Sequence, residues 1–167
     1  MKGKCTMKIY LASRYSRRIE LMGYRHELQS IGHKVTSRWL DLDHQDASWR
    51  ATMSDDGSTD NAAELRCKFA TEDFNDVLAA DVLIAFTESP SSNSGRGGRH
   101  VELGIAIGRG KPVYVVGHRE NIFCWLGLVR FHESFQSVIA DLMKCSICDD
   151  VAEVSTGMCR SCSDHAY

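Results

Sequence analysis

Residues 81–106 read DVLIAFTESPSSNSGRGGRHVELGIA. The first six are nearly all apolar, as expected of a parallel strand covered on both faces. A Ser-rich loop, Thr87 to Ser94, follows, and glycines then lead into an apolar, helix-compatible run. A Gly-rich loop opening onto a helix N-terminus presents backbone N–H groups to anions or polar ligands. One carboxylate, Glu102, stands a turn inside that helix in otherwise apolar company. Taken alone, it fits either a chemical centre or a solvated helix residue.

The flanks repeat the same alternation of strand and helix. Upstream, Lys8 to Ala12 (KIYLA) is a short buried strand, and Ser13 to Arg18 (SRYSRR) a polar, basic turn at its end. A helix is expected from about Arg17 to Ser30, its stripe formed by Ile19, Met22, Leu28 and Ile31, with Gly32 as its C′ residue. Lys34 to Leu40 (KVTSRWL) alternates like a second strand, and Asp41 to Asp60 reads as a long acidic loop. Apolar residues at helical spacing follow from Ala62 through Leu65, Phe69, Phe74, Val77 and Leu78, with a break expected near Thr71. Downstream, Pro112 to Val116 and Leu128 to Phe131 read as strands joined by a short segment, Asn121 to Leu126. A last helix runs from about Ser134 to Met143.

This pattern predicts an α/β domain of flavodoxin-like (Rossmann-like) type: a mostly parallel five-stranded sheet with helices on both faces. Ligands in such sheets bind beyond the C-terminal ends of the strands. That rule gathers Ser13 and Arg14, the acidic loop and the Gly-rich loop around one cleft, which Glu102 faces.

Composition narrows the function classes. The chain has 167 residues, 43% hydrophobic and 25% charged, with net charge −2 and a pI of about 6.4. These values describe a globular domain with a small appendage, and no broad basic face for nucleic acid. No apolar run reaches a membrane-spanning or signal length, so a cytoplasmic protein is expected.

Four of the seven cysteines fall near the end, as Cys145-x-x-Cys148 and Cys159-x-x-Cys162 with ten residues between. Paired knuckles of this spacing place four thiolates around one structural Zn²⁺, and four protein ligands leave no open catalytic position. The chain accordingly divides into an α/β domain, 1–144, and a zinc-binding tail, 145–167, with disulfides as the alternative. Cys5, Cys67 and Cys124 read as reduced thiols, and His165 as a spare ligand.

Three segments together carry a resemblance: KIYLA; Asp73 with FNDVLAADVLIAF; and GGRHVELGIAIGRGKPVYVV. Over roughly residues 8 to 145 the chain resembles the nucleoside 2-deoxyribosyltransferase family, which includes deoxynucleoside 5′-monophosphate N-hydrolases. The resemblance implies that Glu102, in the E-L-G-x-A pattern, is the nucleophile. It implies that Asp73, eight residues before Asp81, works on the leaving base. It implies that Tyr10 orients the nucleophile, and that the protein assembles as a homo-oligomer. Arg96 stands near the place where the family's hydrolases carry a phosphate-binding serine, with Ser94 two residues before it. Substrate therefore stays open between a deoxynucleoside and its monophosphate.

The residue chemistry agrees with this picture. Cleaving an N-glycosidic bond develops positive charge at the anomeric carbon, which a carboxylate can stabilise or trap covalently. The departing base needs a proton, which calls for a second, acidic carboxyl. Ser13, Arg14, Ser94 and Arg96 are candidate donors to substrate, Gly97 and Gly98 permit close approach of backbone, and Trp39 could stack on the base or belong to the core. Arg17 and Arg18 extend the basic turn, and His100 reads as a solvated helix-terminal residue. The rival expectation is a non-catalytic nucleotide-binding or sensing module whose zinc tail contacts a partner.

Overall fold

The computed structural model describes residues 6–41, 60–89 and 97–143, and the apolar runs of the sequence form one sheet in it. Its strands are β1 (Lys8–Ala12), β2 (Lys34–Val35), β3 (Val82–Phe86), β4 (Val113–Val116) and β5 (Val129–His132). They lie in the order β2-β1-β3-β4-β5, and every neighbouring pair is parallel. This is the doubly wound order whose switch point, between β1 and β3, is where ligands collect in such sheets. All of β3 and β4 is buried, as central parallel strands must be.

Among the described residues four helices cover the two faces: α1 (Arg18–Ser30), α2 (Asp60–Ala79), α3 (Gly98–Gly108) and α4 (Phe135–Leu142). Tyr24 of α1 stacks on Phe86 of β3 and Phe135 of α4, with ring centroids 5.1 and 4.2 Å apart, so α1 and α4 share one face. On the other face α2 and α3 pack against each other and against β1. Side chains alternate along a strand, so Tyr10 points to the α2–α3 face while Ile9 and Leu11 point to the other. Among the described residues no helix is long and apolar enough to cross a membrane.

Three local expectations are corrected. The strand expected over Lys34 to Leu40 stops at Val35, and Arg38–Leu40 forms a 3₁₀ turn. The reason lies in Ser37: its hydroxyl accepts the Leu11 N–H at 2.7 Å and donates to the Leu11 carbonyl at 3.2 Å, taking over the ladder bonds of β1. The helix expected to break near Thr71 is continuous, because residues 60–79 contain no glycine or proline and an isolated threonine costs only a fraction of a kcal/mol. In α1 the inward face belongs to Arg18, Leu21 and Leu28, whereas Ile19 is 73% exposed. Gly32 does close α1, at φ 97°.

Thr87, directly after β3, joins the strand ends that carry the cleft. Its hydroxyl donates to the Val116 carbonyl at 3.0 Å and accepts the His118 N–H at 2.6 Å. Gly117 lies against it at φ +116°, where a Cβ would stand 2.8 Å from Thr87 Oγ1 and 3.0 Å from Thr87 O. Both the left-handed backbone and the contact oppose a side chain. Gly117→Ala is expected to destabilise the fold by roughly 1–3 kcal/mol, read as a melting temperature lower by several degrees. An unchanged melting temperature would contradict this packing.

Residues 42–59 of the acidic loop, Ser94 and Arg96, Cys5, and the cysteine set Cys145, Cys148, Cys159 and Cys162 with His165 lie outside the described residues, and Asp60, expected in the loop, begins α2. Cys67 and Cys124 are free thiols.

Candidate active site

The switch point brings together residues from four elements. Tyr10, in the middle of β1, is fully buried, and its hydroxyl donates to Glu102 Oε1 at 2.7 Å across the β1–α3 interface. Glu102 lies on the inward face of α3 with Arg99, Leu103 and Ala106, three or four residues apart. Burial raises its carboxyl to about 7; Asp73 pushes it further the same way, while the Tyr10 hydrogen bond and the Arg99 charge oppose the rise. Tyr10 is held well above its usual range by burial and by the Glu102 and Asp73 charges, so it remains a donor. Glu102 Oε2 is buried and receives no hydrogen bond from a described residue. The carboxylate is thus fixed by one oxygen and unengaged at the other.

Asp73 reaches the site from α2. Phe69 precedes it by four residues and Val77 follows it by four, so it stands on the inward stripe of that helix. The apolar stripe read from the sequence included Phe74, which is 44% exposed; Asp73 and Asp76 occupy the inward side instead. Asp76 has a counter-ion: Arg38 Nε stands 2.9 Å from its Oδ1, and the Arg38 N–H donates to its Oδ2 at 2.9 Å. Asp73 lacks such a bond, and its Oδ1 is buried without a described donor. Burial, then the Asp76 and Glu72 charges, lift the Asp73 carboxyl to about 7, against a smaller pull from Arg38. Two carboxyls that titrate near neutrality, in different environments, form the arrangement from which acid and nucleophile roles are divided.

The other expected site residues fall around this pair. Ser13, just past β1, has a buried hydroxyl with no described partner. Arg14 Nε stands 3.4 Å from Glu88 Oε1. Gly97, at φ +82°, opens α3, and a Cβ on Gly98 would meet no described atom within 4 Å. No described residue therefore covers the backbone of the first turn on that side. Trp39 lies on the 3₁₀ turn and is 8% exposed. Its indole N–H donates to the Leu11 carbonyl at 2.9 Å and its ring is tilted against Tyr15, so most of its surface belongs to the core. Arg18 is buried, with Nε donating to the Leu40 carbonyl at 3.1 Å.

Sequence reasoning missed a second charged layer: Glu88 beyond β3, Glu120 beyond β4, and Arg99 in the first turn of α3. Arg99 Nη2 stands 2.6 and 2.5 Å from the two Glu120 oxygens, and Glu120 Oε1 also accepts the Glu88 N–H at 2.9 Å. The available signal was position: Arg99 precedes Glu102 by three residues, and both glutamates follow strand ends. Among the described residues no group of three or more His, Cys, Asp or Glu is placed to hold a metal ion.

The raised carboxyl has a stability consequence. Glu102 titrates near 7 in the fold and near 4.5 when free, so its contribution is present at low pH and is lost as pH rises through 7. Glu102→Gln, which retains an acceptor for Tyr10, is expected to stabilise the protein at pH 8 by on the order of 2–3 kcal/mol. The gain should shrink toward pH 4.5, and urea unfolding at both pH values measures it. Equal effects at the two pH values would count against a strained carboxylate.

No protein-family model matches the chain, and no curated protein sequence matches it. Among solved structures, the CMP N-glycosidase BcmB of Clostridium botulinum is 19% identical, with a TM-score of 0.46, covering 81% of this chain and 97% of that one. A conserved protein from Enterococcus faecalis V583 is 18% identical, with a TM-score of 0.41, covering 81% of this chain and 85% of that one. At such distances no residue role is transferred, and the chemistry of the site rests on its own geometry.

Proposed function

We propose that the chain cleaves the N-glycosidic bond of a 2′-deoxynucleoside or its 5′-monophosphate. The observation that carries this reading is the buried Glu102 carboxylate, held through Oε1 by Tyr10 with Oε2 unengaged, beside a second carboxyl at Asp73 that also titrates near 7. The motif resemblance of KIYLA, Asp73 and VELGIA supports the same assignment.

In this mechanism Glu102 Oε2 bonds to C1′ as the C1′–N bond breaks, and the bonding pair leaves with the base. Asp73, protonated, gives its proton to the departing nitrogen, so the base leaves neutral. Tyr10 keeps the attacking carboxylate in one rotamer and tempers its charge. The ester at Glu102 is then resolved at C1′ by water, whose proton Asp73 takes up, or by a second base. Water makes the protein an N-hydrolase and a base makes it a deoxyribosyltransferase. The four tail cysteines are assigned, on spacing alone, to a structural zinc site separate from this chemistry.

The deciding experiment is chromatographic detection of free base after incubation with each deoxynucleoside and deoxynucleotide, with and without an acceptor base. Absence of base release from every substrate would leave a binding or sensing module as the alternative.

A further inference from the structure

The charged layer beyond the strand ends is not used by the mechanism above, and its placement bears on substrate class. Asp73 and Trp39 lie on the β2 side of Glu102, the side on which the proposed mechanism seats the leaving base. Glu88 and Glu120 follow β3 and β4, on the opposite side of the switch point; a sugar held with C1′ at Glu102 and its base toward Asp73 would have its 5′ end on this side. In this layer Arg14, Arg17 and Arg99 are each already matched by a carboxylate, while Arg119 donates to the Cys124 carbonyl. Arg14 Nε and Arg17 Nη1 stand 3.4 and 3.5 Å from Glu88 Oε1. Arg17 also holds Glu20, Nη2 to Oε1 at 2.7 Å and Nε to Oε2 at 2.8 Å. Arg99 holds Glu120 through both carboxylate oxygens. Three arginines thus face three glutamates.

Resting on the N-glycosidase reading, we propose that this layer selects the uncharged 5′-hydroxyl of a deoxynucleoside and disfavours a 5′-phosphate, with Glu88 as the specificity-determining residue. A phosphate dianion would have to displace Glu88 or Glu120 from its arginine. The displaced carboxylate, with side-chain exposure of only 19% or 14%, would stay partly desolvated beside a like charge. Such like-charge juxtapositions weaken binding of the wrong ligand. A hydroxyl instead needs an acceptor. Both arginines are drawn to Glu88 Oε1, and Oε2 takes no hydrogen bond from a described residue. A site built to accept a substrate hydroxyl discriminates strongly, because its polar group is otherwise left unmatched.

The test measures calorimetric affinity of Glu102→Gln protein for a deoxynucleoside and its 5′-monophosphate, alongside kcat/KM of wild-type protein for both. The deoxynucleoside should be favoured roughly 10- to 100-fold in affinity. Adding Glu88→Gln, which keeps size and removes charge, should narrow that ratio about 10-fold, and Glu120→Gln is the parallel variant on the second pair. Equal or tighter binding of the monophosphate overturns the inference, with Arg96 the natural source of the extra charge. Binding of neither ligand overturns it too. A folded Glu88→Gln protein with an unchanged ratio removes Glu88 from the role. Discrimination in binding without any base release would retain the specificity and refute the proposed reaction, so the two failures are distinct.

Discussion

Glu102→Ala protein is expected to release base from a deoxynucleoside at least ~10³-fold more slowly than wild type while remaining folded. The size of the loss follows from removing the atom that forms the new bond to C1′. What remains is binding plus proton donation, and nucleophile deletions in enzymes that use a covalent intermediate cost this much or more. Survival of the fold follows from the energetics of the site. Glu102 is a buried carboxyl that burial drives up to about 7, so its loss relieves a desolvated charge. The substitution also leaves the Tyr10 hydroxyl without its acceptor, a penalty of about 1–3 kcal/mol. The two effects oppose, and the melting temperature should move by only a few degrees. Mass spectrometry supplies the complementary readout: acid-quenched wild-type protein should carry a deoxyribosyl adduct that Glu102→Ala protein lacks. Base release that persists in the variant would exclude Glu102 as the nucleophile.

The second large effect is on pH. The proposed mechanism needs Glu102 ionised and Asp73 protonated, and both groups titrate near 7. The pair must therefore hold one proton between them. Below neutrality it gains a second and the nucleophile is lost; above neutrality it loses the first and the acid is lost. A bell-shaped kcat/KM profile centred near pH 7 is expected, its limbs belonging to the pair and not to either residue. Asp73→Asn should lower kcat/KM at pH 7 by roughly 10²–10⁴-fold and abolish the alkaline limb. A deoxyriboside whose leaving group is acidic enough to depart unprotonated should restore most of the rate. If the variant lost activity equally on both substrates and kept the wild-type pH profile, Asp73 would be a structural residue.

The sheet was legible where the physics is unambiguous. DVLIAF, KIYLA and PVYVV are apolar because both of their faces are covered, and the turn residues around them mark strands of this length. The alternation in KVTSRWL misled for a definite reason. Val35, Ser37 and Trp39 do face inward in turn, but Ser37 and Trp39 satisfy Leu11 with side-chain atoms, so the backbone is free to leave the ladder. Ile19 was misread because the inward place on α1 went to a charged residue, Arg18, whose guanidinium reaches the Leu40 carbonyl. Hydrophobic periodicity cannot anticipate such a substitution.

The site was legible in part. Glu102, Asp73 and Tyr10 were singled out with the help of a motif resemblance, and the fold does bring Tyr10 into hydrogen-bond contact with Glu102. Arg99, Glu88 and Glu120 were invisible because each is an ordinary charged residue near a loop. Their significance arises only when the ends of β3 and β4 are brought level and Glu120 reaches both Arg99 and the Glu88 N–H.

The Tyr10–Glu102 bond joins residues 92 positions apart in the chain. Contacts of such separation are slow to form, because the intervening loop must close before they repay its entropy. Until β1 has docked beside β3, no hydroxyl fixes the Glu102 rotamer. The Glu102 rotamer is therefore set only once β1 and α3 have packed together. The bond couples the orientation of the carboxylate to the docking of two elements far apart in the sequence.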